Sequence, residues 1–280
     1  IVEVGPRDGL QNEKQALSAA QKIELINLLS NTGVQRIEAG SFVSPKWVPQ
    51  MANSDEVFKA LNPNKNIHYS ALTPNLKGLE AAIEAGVKEV AVFGAASESF
   101  SQKNINCSIS ESLQRFEAVF DMANKSNIKV RGYVSCVMGC PYEGDIAPEA
   151  VTRVSKELLD MGCYEVSLGD TIGVGTLMST KLLLDDVLKE IDVSKVSLIW
   201  MDIEGFEIEA IAGMKKLLKS KIPLYLEFNG QIHDAASRSR FAAEMKKSYK
   251  TCLKESQGKL VPFEIQKIED LTYQADLLFM

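Results

Sequence analysis

Residues 2–13 of the chain read VEVGPRDGLQNE, and the predicted order of strands and helices starts here. A short β-branched run stops at Gly5-Pro6, and Arg7 and Asp8 follow at once. This pattern predicts a strand that delivers both charges onto a turn at its carboxyl end. Ligands of parallel α/β proteins bind at such ends, where a carboxylate can hold a metal and an arginine can neutralise an oxyanion. A surface ion pair that only caps the turn is the structural alternative.

The composition is that of an ordinary globular protein, with 280 residues of which 45% are hydrophobic and 24% charged. A net charge of −6 argues against nucleic acid and anionic membrane surfaces as partners. No apolar run approaches the roughly 20 residues that span a bilayer. The chain begins at Ile1 without a Met, so any targeting segment would lie upstream. A cytoplasmic location is expected, with the mitochondrial matrix as the alternative.

Cysteine and histidine usage argues against a structural metal centre. The five cysteines are an odd number scattered over a long chain, which favours free thiols in a reducing compartment. Cys136 and Cys140 have a three-residue spacer and no second pair, which is not a zinc-ligand pattern. His68 and His233 each lack a partner in the sequence and are interpreted as structural or exposed.

Strand and helix signals alternate strictly through the first two thirds of the chain. Helical periodicity is seen at 18–30, 55–61, 76–85, 110–124 and 148–161. The strand signals lie at 2–4, 34–39, 67–72, 87–93, 128–136 and 164–168. Six such units predict a parallel sheet with right-handed crossovers.

Both an open doubly wound sheet and a closed barrel would fit this alternation. The Rossmann fold needs G-x-G-x-x-G after the first strand, and the chain has GPRDG there. In a barrel every strand delivers polar groups to one rim. The polar residues at or near strand ends are Arg7, Asp8, Glu38, Thr73, Arg131, Tyr133, Asp170 and Thr171. An α/β fold of the TIM-type (β/α)8 class is therefore favoured.

Six strings in residues 1 to about 195 closely resemble the 3-hydroxy-3-methylglutaryl-CoA (HMG-CoA) lyase family. They are VEVGPRDGLQNE, IEAGSFVSPKWVPQM, LTPNLKG, FGAASESFSQKNINCSI, RGYVSCVMGCPYEG and GCYEVSLGDTIGVGT. The resemblance implies an aldolase-like barrel that cleaves HMG-CoA to acetoacetate and acetyl-CoA, a reaction of leucine degradation. It also implies a divalent Mg or Mn ion and an acyl-CoA substrate, which a loop at residues 101–106 would help accommodate. A homodimer is compatible with it.

The resemblance also implies roles for the rim residues. Asp8 becomes a metal ligand, Arg7 stabilises the enolate oxygen, and Glu38 and Asp170 are acid/base candidates. Substrate binding is implied for Arg7, Gln11, Arg131, Tyr133 and Thr171. A rim carboxylate in a structural ion pair is the alternative for Glu38 and Asp170.

The chain departs from the family pattern at the seventh strand. The family's His-x-His metal ligands correspond to Ile199 and Met201. An apolar side chain has no lone pair for a hard cation, and a thioether is a soft ligand. Weak or lost metal binding, and weak or absent turnover, are therefore expected. The family's later glycine-rich loop with its catalytic Cys has no counterpart, and Cys252 lies in a predicted helix.

Residues 198–280 resemble FkbM-type methyltransferases instead, through WMDIEGFE at 200–207 and PLYLEF at 223–228. We predict a lyase-like portion at 1–197 joined to this segment, by natural fusion or an error in gene assembly. The methyltransferase glycine-rich turn is absent, so S-adenosylmethionine is not expected to bind. An inactive chimera and a fragmentary methyltransferase are the alternatives to a lyase.

The tail still permits barrel closure by its periodicity. Strands are predicted at 196–200 and 223–228, with helices at 204–219 and 235–254. An extra ribbon is predicted at 261–268 and 271–279. The expected fold is thus a barrel with an atypical closing portion.

Overall fold

A computed structural model describes residues 2–61, 66–190, 196, 198–201 and 207–280. The chain forms two compact units, Ile1–Val174 and Gly175–Met280. The boundary between the two family-like portions, predicted at 197/198, lies after this division of the chain and stays a prediction.

The first unit alternates strands and helices as predicted. Its strands are β1 (Arg36–Ser41), β2 (His68–Leu72), β3 (Glu89–Ala95), β4 (Lys129–Ser135), the hairpin β5 (Gly139–Cys140) and β6 (Gly144–Asp145), and β7 (Glu165–Leu168). Its helices are α1 (Ala19–Leu29), α2 (Ser54–Ala60), α3 (Leu76–Glu84), α4 (Glu98–Ile105), α5 (Ile109–Lys125) and α6 (Pro148–Met161). A capping box at Ser18 starts α1, and Gly162 ends α6 in the left-handed region.

The main sheet of this unit is parallel, in the order β1-β2-β3-β4-β7. The first predicted strand is present as a single parallel bridge from Glu3 to Ile37. Parallel pairing brings the carboxyl ends of these segments to one edge. The fold class is therefore α/β, and the polar residues that follow the strands share that edge.

Contacts between distant strands show that this sheet curves. Arg36, at the start of β1, donates from Nη1 to the Tyr164 phenol at 2.7 Å, directly before β7. The same phenol donates to Glu89 Oε1 of β3 at 2.6 Å. A flat sheet would put β1 and β7 about 19 Å apart, four spacings of about 4.8 Å each. Side chains of this length meet because the sheet bends towards a barrel.

The second unit holds a different sheet. Its strands are β8 (Ile199–Met201), β9 (Leu224–Asn229), β10 (Cys252–Ser256), β11 (Lys259–Phe263) and β12 (Gln274–Phe279). Its helices are α7 (Leu177–Glu190), α8 (Glu207–Gly213), α9 (Lys215–Lys219) and α10 (Ala235–Ser248). The order is β11-β10-β12-β9-β8, parallel between β8 and β9 and antiparallel elsewhere, with Pro262 on the outer strand β11.

The core of the second unit lies on one face of its sheet. Leu224, Leu226 and Phe228 alternate inward along β9. Phe228 stacks on Phe241 of α10 with ring centroids 4.9 Å apart. This alternation has the period of a half-buried strand and explains why β9 was recognisable in the sequence.

The predicted closing portion is wrong in three places. The two strands expected to close the barrel, β8 and β9, pair in parallel with each other in the second sheet, where β9 also pairs antiparallel with β12. The predicted helix at 235–254 ends at Ser248, and Cys252 begins a strand. Of the predicted ribbon at 261–268 and 271–279, the second strand is present as β12, but the first is the end of β11 followed by a 3-10 turn at Ile265–Asp270, and both strands pair with β10.

All five cysteines are free, as predicted, and the structure buries each of them. Burial raises the pKa of the Cys163 thiol from 9.0 to about 12, so folding holds its proton more tightly than the unfolded chain does. Stability from this thiol is complete below pH 9 and is lost as the pH rises from 9 towards 12. None of the helices in the described residues combines the length and the hydropathy of a bilayer-spanning segment.

A prediction follows for alkaline unfolding. Urea titrations at pH 7 and at pH 10 are expected to differ by about 1.4 kcal/mol per buried thiol of this kind, the value of one pKa unit. A Cys163→Val variant, which has no thiol at this position, should lose correspondingly less stability between the two pH values. An equal loss in both proteins would show that Cys163 does not contribute.

Candidate functional site

The first turn forms the base of the candidate site. Gly5–Gly9 is a single π-helical turn with Pro6 at its start. It buries Arg7 while leaving Asp8 half-exposed. Arg7 donates from Nη1 to Asp8 Oδ1 at 2.7 Å and from Nε to Glu38 Oε1. The predicted adjacent pair is therefore joined to a third charge on β1.

Glu38 lies at the centre of the site and is 1% exposed. Its Oε1 accepts from Arg7, and its Oε2 accepts from the Tyr133 hydroxyl at 2.9 Å. The burial of a carboxylate is costly unless it is paired and hydrogen-bonded, and here both oxygens are satisfied. Glu38 is therefore built into the site as a hydrogen-bond acceptor.

Arg131 and Tyr133 lie two residues apart on one face of β4. Arg131 donates from Nη1 to the Tyr133 oxygen at 2.7 Å, and its guanidinium carbon lies 4.7 Å from the ring centroid. Burial, followed by the nearby Glu38 charge, raises the pKa of the Tyr133 phenol well above its usual value. Tyr133 is consequently a neutral hydrogen-bond donor throughout the neutral pH range.

Sequence reasoning missed Glu165, which ends this chain of contacts. Arg131 donates from Nε to Glu165 Oε1 at 2.6 Å. Glu165 pairs with Arg131 in the β4–β7 register, and Ser167 pairs with Tyr133. Alternation along β7 places Glu165 on the face of Arg131 and was the signal that could have found it.

The remaining predicted residues lie around the strand ends. Asp170 follows β7 in an exposed turn, where its Oδ1 accepts from the Val174 amide at 3.2 Å. Thr171 accepts from the Cys136 amide at 2.7 Å, which ties this turn to the end of β4. Gln11 is half-buried, three residues after Asp8.

The region 101–106, expected to form a loop, is helical instead. Ser97 caps α4 by accepting from the Phe100 amide. The helix continues to Ile105, and Asn106 ends it in the left-handed region. Local capping therefore gives this segment a helix that its composition did not suggest.

The described residues do not fit a divalent metal centre. They include no group of three or more His, Cys, Asp or Glu side chains that could hold an ion. Met201 is buried in the apolar core of the second unit, and Ile199 packs against that core. These two residues serve packing, so Asp8 has no imidazole partner at the predicted positions.

His233 lies in the turn before α10 in the second unit, and its side chain is 8% exposed. Its Nε2 lies 3.4 Å from Glu207 Oε2, and its ring stacks on Phe228 with centroids 5.4 Å apart. This contact supports the structural interpretation of His233.

Two family models match the chain. The model described as HMGL-like matches residues 1–200. The model described as methyltransferase FkbM domain matches residues 152–273. The first covers well over half of the chain, and the second supports the resemblance of the tail.

Curated relatives agree with the first match. A 3-hydroxy-3-isohexenylglutaryl-CoA/hydroxy-methylglutaryl-CoA lyase of Pseudomonas aeruginosa is 55% identical over 225 residues, 80% of this chain and 74% of that protein. The mitochondrial hydroxymethylglutaryl-CoA lyase of Homo sapiens is 57% identical over 205 residues, 73% of this chain and 63% of that protein. The chain thus spans under two thirds of the human relative.

Solved structures show the same fold. A hydroxymethylglutaryl-CoA lyase from Pseudomonas aeruginosa is 49% identical with a TM-score of 0.68, covering 87% of this chain and 72% of that chain. An HMG-CoA lyase from Acinetobacter baumannii, in complex with coenzyme A and 3-methylmalate, is 30% identical with a TM-score of 0.68, covering 82% and 74%. The chain therefore belongs to the HMGL-like family, whose fold is the aldolase-type TIM barrel.

Proposed function

We propose that this protein is an HMG-CoA lyase-type carbon–carbon lyase with weakened turnover. The observation that carries the proposal is the hydrogen-bonded series Asp8, Arg7, Glu38 and Tyr133, which the first unit assembles from three separate segments. The high identity to lyases across the same residues supports it. The substrate would be an acyl-CoA, consistent with the coenzyme A complex of the Acinetobacter relative.

The proposed chemistry follows from the charges of this site. A base takes the proton of the substrate's tertiary hydroxyl, and the adjacent carbon–carbon bond breaks. The electron pair moves to the thioester, giving acetoacetate and an enolate that then takes a proton to become acetyl-CoA. Arg7 is suited to the enolate oxygen because its guanidinium is always charged. Glu38 and Asp170 are the acid/base candidates, while Gln11, Arg131, Tyr133 and Thr171 would orient the substrate.

The divalent ion is the weak point of the proposal. A bound Mg or Mn ion would polarise the substrate's oxygens. Asp8 is the single ligand carried over from the family pattern, because Ile199 and Met201 replace the histidines. We infer that metal binding is weakened or lost and that turnover is correspondingly low.

A coupled assay for acetoacetate release tests this. With HMG-CoA and either ion, we expect turnover at least about 100-fold below that of the Pseudomonas relative, since the loss of outer metal contacts alone typically costs 10–100-fold. An Asp8→Asn variant serves as the background control. Turnover equal to that of the relative would show that the histidines are dispensable, and activity equal to the control would favour an inactive chimera.

The FkbM match to residues 152–273 keeps methyl transfer as a second candidate. Isothermal titration with S-adenosylmethionine separates the two, and we expect no binding heat. Measured binding would favour a methyltransferase.

We further propose a cytoplasmic or mitochondrial location, as among the relatives. We also propose a homodimer, which analytical sedimentation would test.

A further inference from the structure

We propose that Glu165 is a positioning residue of the site, acting through Arg131 and Tyr133 on the acceptor Glu38. This inference rests on the proposed lyase function and adds a residue to it. Glu165 touches neither Arg7 nor Glu38 in the described contacts, and its side chain is 41% exposed. Its effect must therefore pass through its partner.

The first step is the anchoring of Arg131. A guanidinium is planar and rigid, so fixing one nitrogen sets the direction of the others. Glu165 Oε1 accepts from Nε at 2.6 Å, and Nη1 then lies 2.7 Å from the Tyr133 oxygen. The Arg131 side chain is 11% exposed, which leaves it little alternative solvation.

The second step is the direction of the hydrogens. Arginine can only donate, so the Tyr133 oxygen is the acceptor in its contact with Arg131. The single phenol hydrogen of Tyr133 is thereby available to Glu38 Oε2, at 2.9 Å. Arg7 donates to the other oxygen of Glu38. Both oxygens of Glu38 accept, and its orientation depends on a phenol that Arg131 holds in place.

Removal of Glu165 frees Arg131 Nε while leaving every other group of the series in the chain. Arg131 can then turn, and the Tyr133 hydroxyl loses its fixed donor. Because the Glu165 carboxylate is 41% exposed, solvent screens its charge, and the variant is expected to fold with a modest loss of stability. The effect should therefore appear in the geometry at Tyr133 and in rates, and only slightly in unfolding.

Three variants, Glu165→Ala, Glu165→Gln and Glu165→Asp, test the proposal. The matched control is Glu157→Ala, which removes the partner of Arg153 from a pair on α6 with a 44% exposed carboxylate. With fluorotyrosine incorporated and the Tyr133 signal assigned by Tyr133→Phe, fluorine NMR reports the ring environment whether or not the protein turns over. Glu165→Ala should shift that signal, Glu165→Asp should restore it, and Glu157→Ala should leave it unchanged.

Kinetics provide the second readout. In a protein with measurable turnover, Glu165→Ala should lower kcat between about 10-fold and 100-fold, the cost of misplaced groups, with a smaller change in KM. If the unsubstituted protein shows no turnover but Glu165→Ala still shifts the Tyr133 signal, the positioning role is supported although the lyase proposal fails. A signal that responds equally to Glu165→Ala and Glu157→Ala, or to neither, would overturn the role of Glu165.

Discussion

Replacing Arg7 with Met is expected to lower the free energy of unfolding of the first unit by about 3–5 kcal/mol, the cost of breaking a buried ion pair. Arg7 is 8% exposed and Glu38 is 1% exposed. The methionine fills a similar volume but leaves the Glu38 carboxylate with only the Tyr133 hydroxyl as a described donor. The loss of stability arises mainly from the buried Glu38 carboxylate, whose charge is left without its arginine partner.

Two further proteins make this measurement decisive. In the double variant Arg7→Met/Glu38→Gln the charge is absent, so most of the stability should return. Arg115→Met, at an exposed pair with Glu111, should cost less than about 1 kcal/mol. Urea unfolding by circular dichroism, with hydrogen exchange of β1 and β4, reports the values. If Arg7→Met loses no more free energy of unfolding than Arg115→Met, the assignment of a buried ion pair is contradicted.

Replacing Gly230 with Ala is expected to destabilise the second unit by at least about 3 kcal/mol through overpacking. A Cβ at this position would lie 2.0 Å from the Leu271 carbonyl oxygen and 2.7 Å from its carbon. Both are backbone atoms, so no side chain can turn away. The Gly230 amide also donates to the Tyr273 carbonyl at 3.2 Å, which holds the strand end close to β12.

Gly9→Ala is the matched control, because a Cβ at Gly9 would meet no atom within 4 Å. Hydrogen exchange measured on both variants should show faster exchange throughout β9 and β12 in Gly230→Ala alone. Unchanged exchange in that variant would mean that the Leu271 backbone shifts at little cost.

Periodicity predicted the first unit well because its helices bury one face each, while its inner strands are short runs buried on both faces. The helix predicted at 148–161 and that observed at Pro148–Met161 coincide, since proline and glycine mark both ends. The sheet that β8 and β9 join was not predictable in the same way. A strand's pattern specifies which face is buried, but its partner strands decide which sheet it joins.

The candidate site was predictable only as far as residue types carry chemistry. The adjacent Arg7 and Asp8 were recognisable from the sequence because opposite charges follow a strand end, and the structure joins them to Glu38. Glu165 lies at the start of a strand, and only the register of β7 against β4 reveals its partner. Long-range register comes from packing, which the letters of one segment do not contain.

The outer strand β11 has a consequence for association between molecules. A free strand edge offers unpaired amides and carbonyls to any neighbouring chain, and natural proteins often blunt it with proline. Pro262, opposite Leu253 in the hairpin, supplies no amide hydrogen at that point of the edge. Pairing of a strand from another molecule with β11 is thereby disfavoured at this position, and so is the edge-to-edge association of second units along this strand.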